Sequence, residues 1–367
     1  MERRDFLKIA CAAGLLSGCG DGGVPAVGAA EELPRRIRLA PHGAWGSAKA
    51  TGLMGIVQSQ GLLEQEFDQD GVAIDWTPMD GGGIHINEAI ANGMIDVSSF
   101  GAMPLIIGRA RGIRTRLLAS QGFHYSYLGV RAGLAARTPG DLVGASFAIL
   151  LGGWSHLSTA QLLHEHGVSL SAVKLVNMSA QEANAAIATG QIDATLVSGP
   201  SLFPLEAQGL VRIIHVTRGR RTGSSGFGAL FVTEDFARRY PGVPRRIVRA
   251  YLRAVHWAGL PENRDAYFEY NTQASTVPKE YLERDFAGRD LRDAFVPLLD
   301  DYIVARFARA AAFCHDNKII RAPVSIDDWF DRAPIAWALA DLGLENFWPA
   351  WSADGEVQTP VAQTSTR

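Results

Sequence analysis

The chain has 367 residues, with 35 Lys and Arg against 38 Asp and Glu, 47% hydrophobic residues and 20% charged ones. That profile is globular and excludes disorder, a collagen-like fibre and a polytopic membrane protein. A formal net charge of −3 argues against a nucleic-acid partner, and the length implies two domains, each large enough to bury its own core.

Residues 1–18 read as an export signal. Arg3 and Arg4 form a paired basic start, and residues 9–16 form an apolar stretch too short to span about 30 Å of hydrocarbon. The run Arg3-Arg4-Asp5-Phe6-Leu7-Lys8 resembles the twin-arginine signal, with Glu2 where Ser or Thr is usual. Leu16-Ser17-Gly18-Cys19 resembles the lipobox of bacterial lipoproteins, which makes Cys19 the expected lipidation site and a membrane surface the expected location. Residues 19–35, rich in Gly and Ala, read as a tether. Cys314 lies in the helical pattern Tyr302, Ile303, Phe307, Ala310, Ala311, Cys314, and is expected in the core with no catalytic role.

From there short β-branched runs alternate with helical patterns: a strand at 37–40, a helix over 47–67, a strand at 72–77, a helix over 86–93 and a strand at 96–100. This βαβ rhythm predicts a mostly parallel sheet. The segment Ala89-Ile90-Ala91-Asn92-Gly93-Met94-Ile95-Asp96 returns as Ala186-Ile187-Ala188-Thr189-Gly190-Gln191-Ile192-Asp193. Each copy is a short amphipathic helix, a Gly suited to a left-handed cap and a buried strand opening with Asp, which predicts two lobes of similar topology. Residues 125–131 and 226–232 are strand-like and are the expected crossings between lobes. The expected organisation is lobe 1 from 36–128 plus 226–330, lobe 2 from 129–225, and an extension at 331–367.

The catalytic constellations are poor. His164 and His166 stand two apart on a predicted helix and point to different faces, so no metal site is expected. No phosphate-loop lysine follows a Gly run, and no cofactor is expected. Arg245, Arg246, Arg249 and Arg253 stand at near-helical spacing, preceded by Arg238 and Arg239, and read as a solvated face, or as a contact for acidic groups of a membrane partner or for anionic lipid.

The chain resembles the type II periplasmic solute-binding proteins of ABC importers, in the sulfonate, taurine and nitrate branch, over about residues 36–330. The segments that carry the resemblance are Gly61-Leu62-Leu63-Glu64, Ile90-Ala91-Asn92-Gly93-Met94-Ile95-Asp96 with Ser98-Ser99-Phe100-Gly101, Gly152-Gly153-Trp154-Ser155-His156, the run 183–193, and Asn317-Lys318-Ile319-Ile320 with Pro323 and Ile326. The resemblance implies an α/β fold of two Rossmann-like lobes with mixed, mostly parallel sheets joined by a two-strand hinge. It implies a monomer that closes over a small sulfonate-like anion and delivers it to a permease and an ATPase subunit, without turnover.

An open α/β sheet binds ligands beyond the carboxyl ends of its strands, and four Gly- and Ser-rich loops lie there. They nominate Trp45 and Ser47, Gly82, Gly83 and His85, Ser99 and Phe100, and Gly153, Trp154, Ser155 and His156, with Ser198 and Phe227 beside them. Ala102 stands where many family members have an acid, and Ser198-Gly199-Pro200-Ser201 where many have Trp-Asp-Pro-Tyr. A zwitterion would then leave its ammonium unpaired, so an alkyl or aryl sulfonate is the expected ligand. The rival readings are an enzyme on the same fold, desulfinase-like or pyrimidine-synthase-like, and a periplasmic ligand sensor. The desulfinase-like enzyme would need a cysteine in the first loop, where this chain has Ala44 and Trp45.

Overall fold

A computed structural model describes residues 32–41, 49–77, 79, 82–218, 222–275 and 277–358. Cys19, Trp45 and Ser47, and with them the export signal and most of the tether, lie outside the described residues.

The chain enters lobe 1 through β1 (Arg36–Ala40), α1 (Gly52–Ser59), α2 (Leu62–Phe67), β2 (Ala73–Trp76), α3 (Gly82–Ala91), β3 (Val97–Gly101), α4 (Ala102–Ala110) and β4 (Thr115–His124). The single helix expected over 47–67 is two helices, broken at Gln60 and Gly61. Lobe 2 follows without interruption: β5 (Tyr127–Arg131), β6 (Ser146–Ile149), α5 (Trp154–Glu165), β7 (Lys174–Asn177), α6 (Ala180–Ala188), β8 (Ala194–Val197), α7 (Gly199–Ala207) and β9 (Val211–Val216). The chain then returns to lobe 1 through β10 (Gly226–Thr233) and a helical tail of α8 (Glu234–Arg239), α9 (Val243–Gly259), α10 (Arg264–Ser275), α11 (Lys279–Asp285), α12 (Leu291–Ala294), α13 (Asp301–Asp316) and α14 (Ala333–Leu342). A short antiparallel ladder of β11 (Ala350–Trp351) and β12 (Val357–Gln358) closes the described chain.

Among the described residues there are two five-stranded sheets, ordered β2-β1-β3-β10-β4 and β7-β6-β8-β5-β9. The two orders correspond strand for strand. In each, two parallel βα units flank the first strand, and one strand contributed across a crossing, β10 or β5, runs antiparallel to its neighbours.

The sequence repeat is the local cause of this likeness. Gly93 and Gly190 both take the left-handed conformation, with φ of 67° and 74°, and both donate to the helix they end, at Ile90 O and Ile187 O. The aspartates that follow clip each strand to its neighbour. Asp96 accepts from Arg38 N at 3.1 Å and returns its own N–H to Arg38 O, while Asp193 accepts from Ser146 N at 2.9 Å and returns its N–H to Ser146 O. An arginine completes each clip: Arg38 Nε at 2.8 Å from Asp96 and Arg131 Nε at 2.8 Å from Asp193.

The first sheet change comes between His124 and Tyr127. Tyr127 and Leu128, assigned to lobe 1 from sequence, pair with Val197 and Leu196 of β8 in the second sheet. The change falls at the start of the crossing expected over 125–131, where the half-buried Phe123, His124 and Tyr125 separate the buried runs of β4 and β5. Residues 331–358 are no appendage either, because Ile335, Ala338, Leu339 and Trp348 belong to the same hydrophobic cluster as β1, β3 and β10. The basic row on α9 is largely spent internally. Arg246 pairs with Glu66 and Asp70, Arg249 with Glu66 and Asp341, and both Arg245 and Arg249 lie over the Trp337 ring. Cys314 is fully buried in lobe 1, its Sγ 3.7 Å from Met103 Sδ, and burial pushes its thiol up to about 12.

Candidate functional site

Both sheets reverse their strand order, between β1 and β3 in lobe 1 and between β6 and β8 in lobe 2. Such a switch point opens a crevice at the carboxyl ends of the strands. The two lobes touch where these ends meet. A Cβ on Gly101, the last residue of β3, would stand 2.8 Å from Trp154 Cβ at the start of α5, and the Trp154 ring meets the His124 ring edge-on at 5.0 Å. Gly152 lies against Ile84 and Ile107 of lobe 1 in a left-handed conformation, φ 81°, which a larger residue takes only with strain.

The loop before α5 is built by its own hydrogen bonds. Gly153 N donates to Leu150 O at 3.0 Å, Leu151 N to Asn177 Oδ1 at 3.0 Å, and Gly152 N to His156 Nδ1 at 3.1 Å. Because Nδ1 accepts, the neutral His156 ring carries its proton on Nε2. The ring is 8% exposed, and this burial pushes its pKa down to about 4, so it is uncharged at neutral pH. Gly153 caps α5 without a side chain; the His156 amide donates to Gly153 O at 3.1 Å, which leaves the first-turn amides of Trp154 and Ser155 for an outside acceptor. Behind the loop lies a cavity of about 70 Å³, lined among others by Leu150, Gly153, Ser155, Met178, Ala183 and Val197. Ser198 follows β8 and caps α7 at the same edge of lobe 2, its Oγ 3.0 Å from Ser201 Oγ.

Gly153, Trp154, Ser155, His156 and Ser198 therefore share one edge of lobe 2. On the lobe 1 side, Gly82, Gly83 and His85 form the first turn of α3, with His85 exposed. Gly83 is required by packing, since a Cβ there would meet Pro104 Cγ at 2.5 Å and Phe100 Cδ2 at 3.0 Å. Ser99 is buried within β3, opposite Leu230 of β10. Two expectations are corrected here. Phe100 packs edge-on to Phe231 at 4.7 Å, and Phe227 packs on Phe307 at 5.0 Å beneath the Arg306 guanidinium, so both rings are spent on the lobe 1 core.

Sequence reasoning missed His124 and Arg306. His124 is the last residue of β4, and its only signal was its place just ahead of a crossing. Arg306 is 4% exposed and donates to the carbonyls of Thr222, Gly223 and Ser225, holding the second crossing against α13. Its signal was an arginine inside an otherwise apolar stripe, between Tyr302 and Ala310. The histidines diverge as expected: His164 lies on Phe313 and His166 on His215. Among the described residues no group of three His, Cys, Asp or Glu is placed to hold a metal ion.

Two mixed sheets with reversed order, nested lobes and a pair of crossings define the periplasmic binding protein fold. Within it the chain belongs to the NMT1/THI5-like family, whose model matches residues 60–262, more than half of the sequence. It is 27% identical over 208 residues to the taurine-binding periplasmic protein of Escherichia coli K12, a match that spans 53% of this chain and 63%, less than two thirds, of that protein. A 2'-hydroxybiphenyl-2-sulfinate desulfinase of Rhodococcus erythropolis is 26% identical over 145 residues, 40% of this chain and 38% of the enzyme. The solved structure of a protein described as the periplasmic sulfonate-binding protein SsuA of Methylobacillus flagellatus KT superposes with a TM-score of 0.76 at 27% identity, covering 88% of this chain and 98% of that one.

Proposed function

We propose that this protein is the solute-binding component of an ABC importer, that it closes over a small organosulfur anion, an alkyl or aryl sulfonate, and that it is held at the membrane surface by lipid on Cys19. The observation that carries the reading is the loop Gly152 to His156. It offers the first-turn amides of Trp154 and Ser155 and a neutral His156 at the point where lobe 2 meets Gly101 and His124 of lobe 1. Such donors stabilise a strong-acid anion at any ordinary pH without a titrating partner. Trp154 supplies the apolar surface for the organic part, with Ser155 and Ser198 as further donors and Gly82, Gly83, His85 and Ser99 as the opposing wall. Trp45 and Ser47 complete the proposed set from the first loop.

Turnover is disfavoured by the chemistry of the cysteine. Among the described residues the cysteine is Cys314, and a buried thiol near 12 supplies no thiolate. The likeness to a desulfinase still sets a second arm of the test. Among the described residues no helix is long and apolar enough to cross a membrane.

The test is thermal unfolding of the purified protein with propanesulfonate, benzenesulfonate, taurine and benzenesulfinate, because a ligand that binds only the folded state raises the melting temperature by mass action. A saturable rise with a sulfonate, lost in Trp154→Ala and His156→Ala, is expected. No rise with any of the four would overturn the reading, and release of sulfite from the sulfinate would replace it with an enzyme.

A further inference from the structure

The two crossings are not the whole of the connection between the lobes. Helix α11 belongs by sequence to the lobe 1 tail, and one side of it is anchored there: Leu282 and Phe286 pack against the lobe 1 cluster, and Arg264 of α10 donates to Phe286 O at 2.8 Å and Arg289 O at 3.0 Å. Its other side belongs to lobe 2. Tyr281 packs into the lobe 2 cluster, 6.0 Å from the Phe203 ring, and Arg284 lies 3.9 Å over the same ring while pairing with Glu206 of α7. Asp285 faces the Tyr127 hydroxyl at the start of β5. Arg289, just beyond the helix, returns to the first crossing, donating to Phe123 O at 2.8 Å with its guanidinium 3.9 Å over Tyr125.

We propose that α11 is an interlobe latch, a further link that holds lobe 2 against lobe 1 through Tyr281 and Arg284 and so sets how readily the lobes part. The link differs in kind from the crossings. It is noncovalent, it engages α7, and its ion pair is half exposed, with 48% and 31% of the two side chains accessible. An ion pair of this exposure is worth little in absolute stability but acts directly on the balance between two arrangements of the same lobes. The inference rests on the two-lobe architecture and not on the proposed ligand.

The test is hydrogen–deuterium exchange of the ligand-free protein, read at the amides of Ser126 and Thr217, where the two crossings bond each other, and at β1 and β3, inside the lobe 1 sheet. Arg284→Glu is expected to quicken exchange at the crossings about two- to fivefold, the span set by a partly exposed ion pair, with β1 and β3 unchanged. The exchanged pair Arg284→Glu with Glu206→Arg is expected to restore the slow rates, and Tyr281→Ala, which alters no charge, to quicken them. Wild-type rates in Arg284→Glu and Tyr281→Ala, or no recovery in the exchanged pair, would overturn the latch. Because no ligand enters the measurement, failure of the sulfonate reading leaves this result standing, and failure of the latch leaves the sulfonate reading standing.

Discussion

Ser126 and Thr217 bond each other twice where the chain passes between lobes. Ser126 N–H donates to Thr217 Oγ1 at 2.9 Å, and Thr217 N–H donates to the Ser126 carbonyl at 2.9 Å. The two crossings are thus tied to each other, and both residues are fully buried. Thr217→Val keeps the shape but leaves the Ser126 amide without its acceptor, at a cost of about 1–3 kcal/mol. Urea unfolding is expected to show a lower midpoint with an unchanged slope; an unchanged midpoint would mean that the amide finds another partner.

Gly101→Ala is expected to separate affinity from stability. The added Cβ would stand 2.8 Å from Trp154 Cβ, close to the backbone where no flexible side-chain end can yield, so the start of α5 must shift away from β3. Overpacking of this sort costs about 1–3 kcal/mol, enough to weaken propanesulfonate binding about tenfold while each lobe keeps its own core. Titration calorimetry beside a melting curve reads both.

His156 predicts a pH dependence of a definite sign. Its folded value is depressed from 6.5 to about 4, so below 6.5 the unfolded chain binds a proton that the folded chain refuses. The stability associated with the neutral ring is fully present above 6.5 and is lost as the pH falls toward 4, by at most about 3 kcal/mol. His156→Gln removes this slope, and urea midpoints collected from pH 7 to pH 4 are expected to fall less steeply for the variant than for the native protein.

Arg306 is expected to tolerate neither Met nor Lys. Its guanidinium reaches three carbonyls of the second crossing from one buried position, a fork that a single ammonium does not reproduce. Each variant is expected to lose about 2–4 kcal/mol, read from the urea midpoint, because Met leaves the carbonyls of Thr222, Gly223 and Ser225 without the charged donor and Lys does not reach all three. A lysine variant as stable as the native protein would show that charge alone suffices there.

What could be read from the sequence was what local chemistry decides. The helix-Gly-strand-Asp repeat was legible because cap, turn and strand opening all lie within eight residues, and both copies perform the same clip at Asp96 and Asp193. The loop Gly152 to His156 stood out for the same reason. Phe100 and Phe227 were misread because β3 and β10 lie inside the sheet with both faces covered, so an aromatic near a strand end had two places to go and took the interior. The reach of Arg306 and the double-faced α11 were invisible, since each is decided by residues about 80 positions away.

The position of β10 also sets an order in time. It lies between β3 and β4, yet it is made only after every strand of lobe 2, so the first sheet cannot close until residue 233 has joined it. Lobe 2 is one uninterrupted stretch and needs nothing that follows β9. A chain delivered from its N-terminus therefore completes its inner half first and carries β1 to β4 as an unfinished sheet, with a gap one strand wide, until the last crossing is made.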